Sequence, residues 1–130
     1  MGSPEQGGAP SPEQQKQERL QKKIEALRPR LEAAGKRLQR AQEKIQEFAK
    51  KHNLQELAQR AQQGDPEAAK LIERFQELKR EMTEAMMEMY KALKQLREAF
   101  ASEGMEEQFD NGPQGEQLRK IEEQLNAQEG

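Results

Sequence analysis

The sequence predicts an all-α protein organised as an elongated antiparallel helical hairpin or coiled coil, and three observations predict it. Apolar residues recur with alternating steps of four and three from Leu20 to Phe48, which is a heptad repeat. A second amphipathic segment follows the helix-start signal Asp65-Pro66. Finally, 32% hydrophobic and 35% charged residues in a 130-residue chain favour an extended helical assembly over a deep globular core.

The first helix is predicted over about residues 13–51. Residues 1–12 are rich in proline and glycine and are predicted to form a disordered tail. With Ile24 at position a, every a and d position is apolar: Leu20, Ile24, Leu27, Leu31, Ala34, Leu38, Ala41, Ile45 and Phe48. Pro29 falls at the outward f position, where loss of a backbone hydrogen bond predicts a kink or a brief interruption that keeps the heptad phase.

A short helix and a second long helix are predicted next. Asn53 followed by Glu56 has the form of a capping box and predicts a helix over about residues 54–62. Gly64 ends that helix, and Asp65-Pro66 starts another that runs over about residues 66–102. The apolar residues of this helix form three adjacent rows, which is a broader face than one neighbouring helix covers.

The C-terminal part is predicted to contain a loop and a final helix. Gly104 and the turn cluster at 110–113 predict a loop over residues 104–113, which Met105 and Phe109 anchor to the core. A helix over about residues 114–128 carries Leu118, Ile121 and Leu125 on one face. We expect this helix to fold back on the hairpin or to pair with another copy, so that oligomerisation completes a bundle.

A basic ridge follows the heptad at the g position, and we use this name for Lys16, Lys23, Arg30, Arg37, Lys44 and Lys51. At about 1.5 Å of rise per residue the ridge spans roughly 50 Å. Four further cations widen it: Lys22, Lys36, Arg40 and Lys50. The residues predicted to contact a partner or phosphate groups are Lys23, Arg30, Arg37, Arg40, Lys44 and Lys51.

The first interpretation of the ridge is internal pairing. In an antiparallel hairpin the g rows of the two long helices face each other. In the register we predict, the residue numbers of two facing residues add up to 118. We call this number the index sum, and it gives the pairs Lys51 with Glu67, Lys44 with Arg74, Arg37 with Glu81, and Arg30 with Glu88.

The second interpretation is contact with nucleic acid phosphates, which would make binding strongly salt-dependent. The charge distribution and the lack of aromatic residues among the cations oppose it. Residues 13–52 carry 12 cations against 6 acids, whereas residues 53–130 carry 10 against 17. An acidic protein partner, or an acidic region of a second copy, is the third interpretation.

A methionine cluster lies in the second long helix, at Met82, Met86, Met87 and Met89. A thioether copper site and a pliable groove for apolar peptides are alternatives to core packing. Because three of the four residues fall on the apolar rows, core packing is preferred, and Met87 faces outward. The candidate interaction or packing surface comprises these methionines together with Leu118, Ile121 and Leu125.

Other polar residues predict no catalytic or metal site. Glu77, Glu81, Glu84 and Glu88 climb one side of the helix, and a solvated face or ion-pair ladder is expected, because a carboxylate metal site in a bundle normally adds histidine. His52, the single histidine, is expected at a helix end.

Two short segments resemble known families. Asp65 to Leu78 resembles the central segment of the YlbF and YmcA family of bacterial RNA-processing and development regulators, from which the long basic helix departs. Met86 to Lys91 resembles the cytoplasmic hairpin of YidC-type insertases, whose membrane spans this chain does not have. We infer membership of neither family from segments of this length.

The sequence therefore predicts a non-enzymatic interaction protein, acting as adaptor, scaffold or assembly subunit through coiled-coil contacts. The alternatives are a nucleic-acid coat protein or regulator that uses the basic helix, and a small helical chaperone. With no cysteine and one histidine, we expect no cofactor, metal or small-molecule substrate. We expect protein partners, homo-oligomers, no membrane span and, in the absence of a signal segment, a cytoplasmic location.

Overall fold

The computed structural model describes residues 11–129 and confirms the all-α class. Its helices are α1 (Pro12–Lys51), α2 (Leu54–Gln62), α3 (Pro66–Ser102), α4 (Glu106–Asn111) and α5 (Pro113–Glu129). α1 and α3 form a long antiparallel pair, α2 lies at their turn, and α5 folds back along α3. Within residues 11–129, every helix is too short or too polar to span a membrane.

α3 is the central element of the fold. Each of the other four helices packs against it, whereas α1 and α5 scarcely approach each other. The larger core cluster joins residues of α1, α3, α4 and α5, including Ala34, Leu93, Phe109 and Ile121. The broad apolar face of α3 is therefore covered largely within the chain, and homo-oligomerisation stays a prediction.

Side-chain caps set the helix starts. Asn53 accepts a hydrogen bond from the backbone N–H of Glu56, and Asp65 accepts from those of Glu67 and Ala68. Each cap satisfies donors that have no partner inside the helix. These caps place the starts of α2 and α3 where the sequence predicts, and both helices also end where it predicts.

The first helix begins earlier than predicted and is not interrupted. Ser11 is its N-cap in a reciprocal capping box with Gln14, so Ser11 and Pro12 belong to the helix and not to a tail. The rest of the predicted tail lies outside the described residues. α1 continues through Pro29, which rules out the predicted interruption, because the f position leaves the proline ring on the outer side. The kink stays a prediction.

The predicted loop over residues 104–113 is wrong, because α4 lies inside it. Gly104, at φ +72°, ends α3: its N–H donates to Ala101 O, and that of Met105 donates to Phe100 O. The chain then forms a short helix, because Phe109 is buried against the core. The expected anchoring by Phe109 is confirmed.

The register of the hairpin also differs from the prediction. The g rows face each other, but opposed residues have an index sum of 125 instead of 118. The observed pairs are Lys44 with Glu81 (3.5 Å), Arg37 with Glu88 (2.8 Å) and Arg30 with Gln95. A shift of seven residues along one helix leaves the same heptad rows facing each other, so the repeat alone did not distinguish the two registers.

Candidate functional site

Most of the basic ridge is engaged inside the hairpin. Besides the three pairs above, Lys23 Nζ donates to Ser102 Oγ at 2.6 Å and to Glu103 Oε2 at 3.0 Å. Arg37 also bonds Glu84 at 3.1 Å. Since the side chains of Arg37, Glu84 and Glu88 are about half exposed, each of their pairs contributes a few tenths of a kcal/mol and serves mainly to set the register. Of the α3 glutamates expected to form a solvated face or an ion-pair ladder, Glu81, Glu84 and Glu88 pair with cations of α1, whereas Glu77 pairs with Arg74 of its own helix.

The flanking cations are not engaged in this way. Lys22, Lys36, Arg40 and Lys50, and also Lys51 at the end of the ridge, are exposed and form no ion pair with another residue in the range 11–129. All cations of α1 except Arg28 lie in its g, c or f rows, so the positive charge covers one side of the helix. This side remains electropositive after the internal pairs are counted.

A groove opens between α1 and α3 on this electropositive side, with a volume of about 680 Å³. We call it the basic groove, and its lining residues are Ala33, Lys36, Arg37, Arg40, Ala41, Lys44, Glu81 and Glu84. The two alanines provide short side chains, and the charged residues surround them. The groove therefore contains four cations and two carboxylates, and of the cations Lys36 and Arg40 form no ion pair within residues 11–129.

The opposite flank of α1 has a different character. At the d positions, Leu20, Ala34, Ala41 and Phe48 are buried and Leu27 is partly exposed, whereas all four a positions are only partly buried. The adjoining e positions are largely uncharged. We define the apolar edge as the a and e rows together, comprising Ile24, Leu31, Leu38, Ile45, Gln21, Arg28, Gly35, Gln42 and Ala49.

The methionine cluster packs mainly in the core. Met86 and Met89 are buried and Met82 is partly buried, while Met87 is 46% exposed, as the sequence predicts. In α5, Leu118 and Ile121 are buried and Leu125 is partly buried against the same core cluster. The buried and partly buried residues of this set thus form an internal interface between helices.

A buried carboxylate that the sequence analysis missed joins α1 to the end of α3. Glu103 accepts hydrogen bonds from Arg19 (2.8 Å) and Lys23 (3.0 Å), and its side chain is 6% exposed. The bonds from Arg19 and then Lys23 lower the pKa of Glu103 to about 2, against the opposing effect of burial. An acidic residue at a helix C-terminus opposes the helix dipole, and this was the available signal that Glu103 needs cationic partners.

The remaining polar candidates form no metal cluster. Within residues 11–129, no group of three His, Asp or Glu side chains is placed to hold a metal ion. His52 caps the end of α1, with its ring centroid 4.6 Å from that of Phe48. Its expected place at a helix end is confirmed.

Comparisons with known proteins add no relative to this description. No protein-family model, curated protein or solved structure shows significant similarity to the chain.

Proposed function

We propose that this protein is a non-enzymatic, cytoplasmic interaction protein, an adaptor or assembly subunit, that binds a helix of a protein partner along its apolar edge. One observation carries the proposal: the a row of α1 packs against the two core clusters on one side but stays partly exposed over its whole length, whereas the neighbouring helix α3 contacts all four other helices. A further helix lying on this edge would bury the row.

The dimensions and chemistry of the edge suit a helical ligand. Its a row runs from Ile24 to Ile45, which corresponds to about 30 Å of helix. Four of the five e positions are uncharged, and the centres of protein interfaces are depleted in charged residues. Gly35, at the middle of the edge, leaves room for close approach, because a Cβ placed there would meet no atom within 4 Å. A partner helix with apolar residues at i, i+3 or i+4, and i+7 matches this surface.

Site-specific photo-crosslinking in the source cells tests the proposal. We expect a photoreactive residue at Gln42, on the edge, to give a discrete protein adduct. The same residue at Lys91, which is exposed on α3, should not give that adduct. Gly35→Lys, which places a long charged side chain at the centre of the edge, should abolish the adduct, whereas Gly35→Ala should preserve it. Identical adducts from Gln42 and Lys91 would contradict the proposal.

Nucleic acid binding is the second candidate, and the unpaired cations beside the ridge favour it. Several phosphate contacts would make binding fall steeply as salt rises above about 50 mM. Because Arg37 and Lys44 have internal partners, Lys36→Glu with Arg40→Glu is the sharper test. No mobility shift of RNA or DNA by the unmodified protein at low salt would remove this candidate.

A chaperone role has less support than either candidate. It would be favoured by exposure of Met87 together with the apolar face of the C-terminal helix. Leu118 and Ile121 on that face are buried against α3 and α4.

A further inference from the structure

The chain carries a second charged surface, opposite in sign to the basic groove. Residues 103–129 contain eight acids and two cations. We define the acidic face as Glu106, Glu107, Glu122 and Glu123, which are exposed on α4 and α5 and form no ion pair with any residue in the described range 11–129. Because no ion pair within residues 11–129 joins a cation of the groove to this face, both surfaces keep charge to offer a second molecule.

We propose that the basic groove binds the acidic face of a second copy of this chain, so that copies associate head to tail. This contact uses the c, f and g side of α1 instead of its apolar edge. It therefore stands whether or not the edge binds a partner helix.

The groove has charge to offer a ligand. Arg37 is held by Glu84 and Glu88, but Lys36 and Arg40 form no ion pair within residues 11–129. These two residues lie one helical turn apart, or about 6 Å along the axis. Beside them, the short side chains of Ala33 and Ala41 help to leave the space of about 680 Å³ that a partner's side chains can enter.

The mixed charges of the groove favour a protein surface over a nucleic acid. Glu84 is 68% exposed, so a uniform phosphate backbone lying in the groove would meet a carboxylate as well as the cations. On α5, by contrast, Lys120 and Arg119 precede Glu122 and Glu123, so both signs are present on the ligand too. The aromatic residue of α1, Phe48, is buried and cannot stack on bases.

The two surfaces differ, so a contact that two copies do not make reciprocally is heterologous, and an open assembly of such contacts keeps one groove and one acidic face free at its ends. Such contacts build rings when the rotation closes and open chains when it does not. The attraction should also depend on salt, because both surfaces are exposed and are screened by ions.

Sedimentation velocity of the full chain, with charge-reversed variants, tests the proposal. We expect association at about 0.01 M ionic strength, where charges act over about 30 Å, and dissociation at about 1 M, where they act over about 3 Å. A groove variant, Lys36→Glu with Arg40→Glu, and a face variant, Glu122→Lys with Glu123→Lys, should each weaken association by at least about tenfold through like-charge repulsion.

Mixing the two variants provides the decisive measurement. The acidic face of the groove variant then meets the intact groove of the face variant, and the two reversed surfaces also complement each other, so association should return. Lys70→Glu with Lys94→Glu is the control, because it makes the same charge change as the groove variant on α3, outside both surfaces, and should associate like the unmodified chain.

Three results would overturn the proposal. These are a monomer at every ionic strength, a mixture of variants that fails to associate, or association that persists at high salt. If the unmodified chain stays monomeric but binds a mixed-sequence RNA, and only the groove variant loses that binding, the ligand of the groove is nucleic acid instead. Circular dichroism of each variant separates loss of contact from loss of fold.

Discussion

Gly35 on the apolar edge and Gly115 at the corner between α4 and α5 are both helical glycines, but their surroundings are opposite. A Cβ built at Gly35 meets nothing within 4 Å, whereas one at Gly115 would lie 2.4 Å from Phe109 O and 2.6 Å from Asp110 O. Close packing against α4 thus requires glycine at 115. At position 35, no contact within the described residues requires glycine.

The two glycines therefore distinguish a surface that is packed within the chain, at Gly115, from a surface that the chain leaves open, at Gly35. A glycine inside a helix costs about 0.5–1 kcal/mol relative to alanine. At Gly115 the close approach of two helices offsets that cost. At Gly35 nothing within the described residues does, so this part of the edge is left open by the chain.

The largest expected effect is at the corner. Gly115→Ala should destabilise the protein by about 1–3 kcal/mol, because the methyl group would press on backbone atoms that cannot move away as a flexible side chain could. Urea denaturation followed by circular dichroism measures the change. An unaltered midpoint would show that the corner is not packed as described.

Glu103, bonded to Arg19 and Lys23, links α1 to the end of α3, and the stability that this link contributes should depend on pH. Because folding lowers the pKa of Glu103 from its ordinary 4.5 to about 2, the folded state favours its ionised form. The stabilisation is therefore complete above about pH 4.5 and is lost as the pH falls through about 2. Thermal melts across this window should show a smaller loss of stability for Glu103→Gln than for the unmodified chain.

This comparison of pH profiles needs the unmodified chain beside the variant. The pKa values of Asp65 and Asp110 are also lowered, chiefly by hydrogen bonds from Arg60 and Arg97. These two carboxyl groups make the same contribution in both proteins and cancel in the difference. Parallel profiles for the two proteins would contradict a role for Glu103.

Substitution of Gly35, on the apolar edge, should change the stability in the opposite direction from substitution of Gly115. Gly35→Ala should stabilise the protein by about 0.5–1 kcal/mol, because it improves helix propensity without a clash. The same urea titration used for Gly115→Ala makes the two results directly comparable. Destabilisation at Gly35 would show that its surroundings are closed.

The smallest effect concerns the electropositive flank of α1. A double-mutant cycle on Arg37 and Glu88 should give a coupling of about 0.2–1 kcal/mol that declines with salt, since both side chains are largely exposed. Arg37 and Glu81 would face each other only in the predicted register, with an index sum of 118. The matched cycle on these two residues should therefore give less coupling. Equal coupling in the two cycles would contradict the observed register.

The sequence predicted those parts of the fold that depend on local signals. Asp65-Pro66 marks the start of α3, and Gly64 and Gly104 end their helices, because caps and turns require particular residue types. α4 was missed because its stability comes from burial of Phe109, a tertiary contact that six residues do not reveal. At the candidate site, the spacing of residues showed which side chains of α1 lie in the same heptad row. The partners of each cation depended on the register between α1 and α3, which the spacing did not determine.

The register has a further consequence, which concerns how the chain folds. Hairpins displaced by seven residues bring the same heptad rows together and so compete with the native pairing. Contacts that occur once along α1 distinguish between them, and the buried Glu103, bonded to Arg19 and Lys23, is such a contact. It would then act on folding kinetics as well as on stability, because removing it should let displaced hairpins accumulate and add a slow phase to refolding.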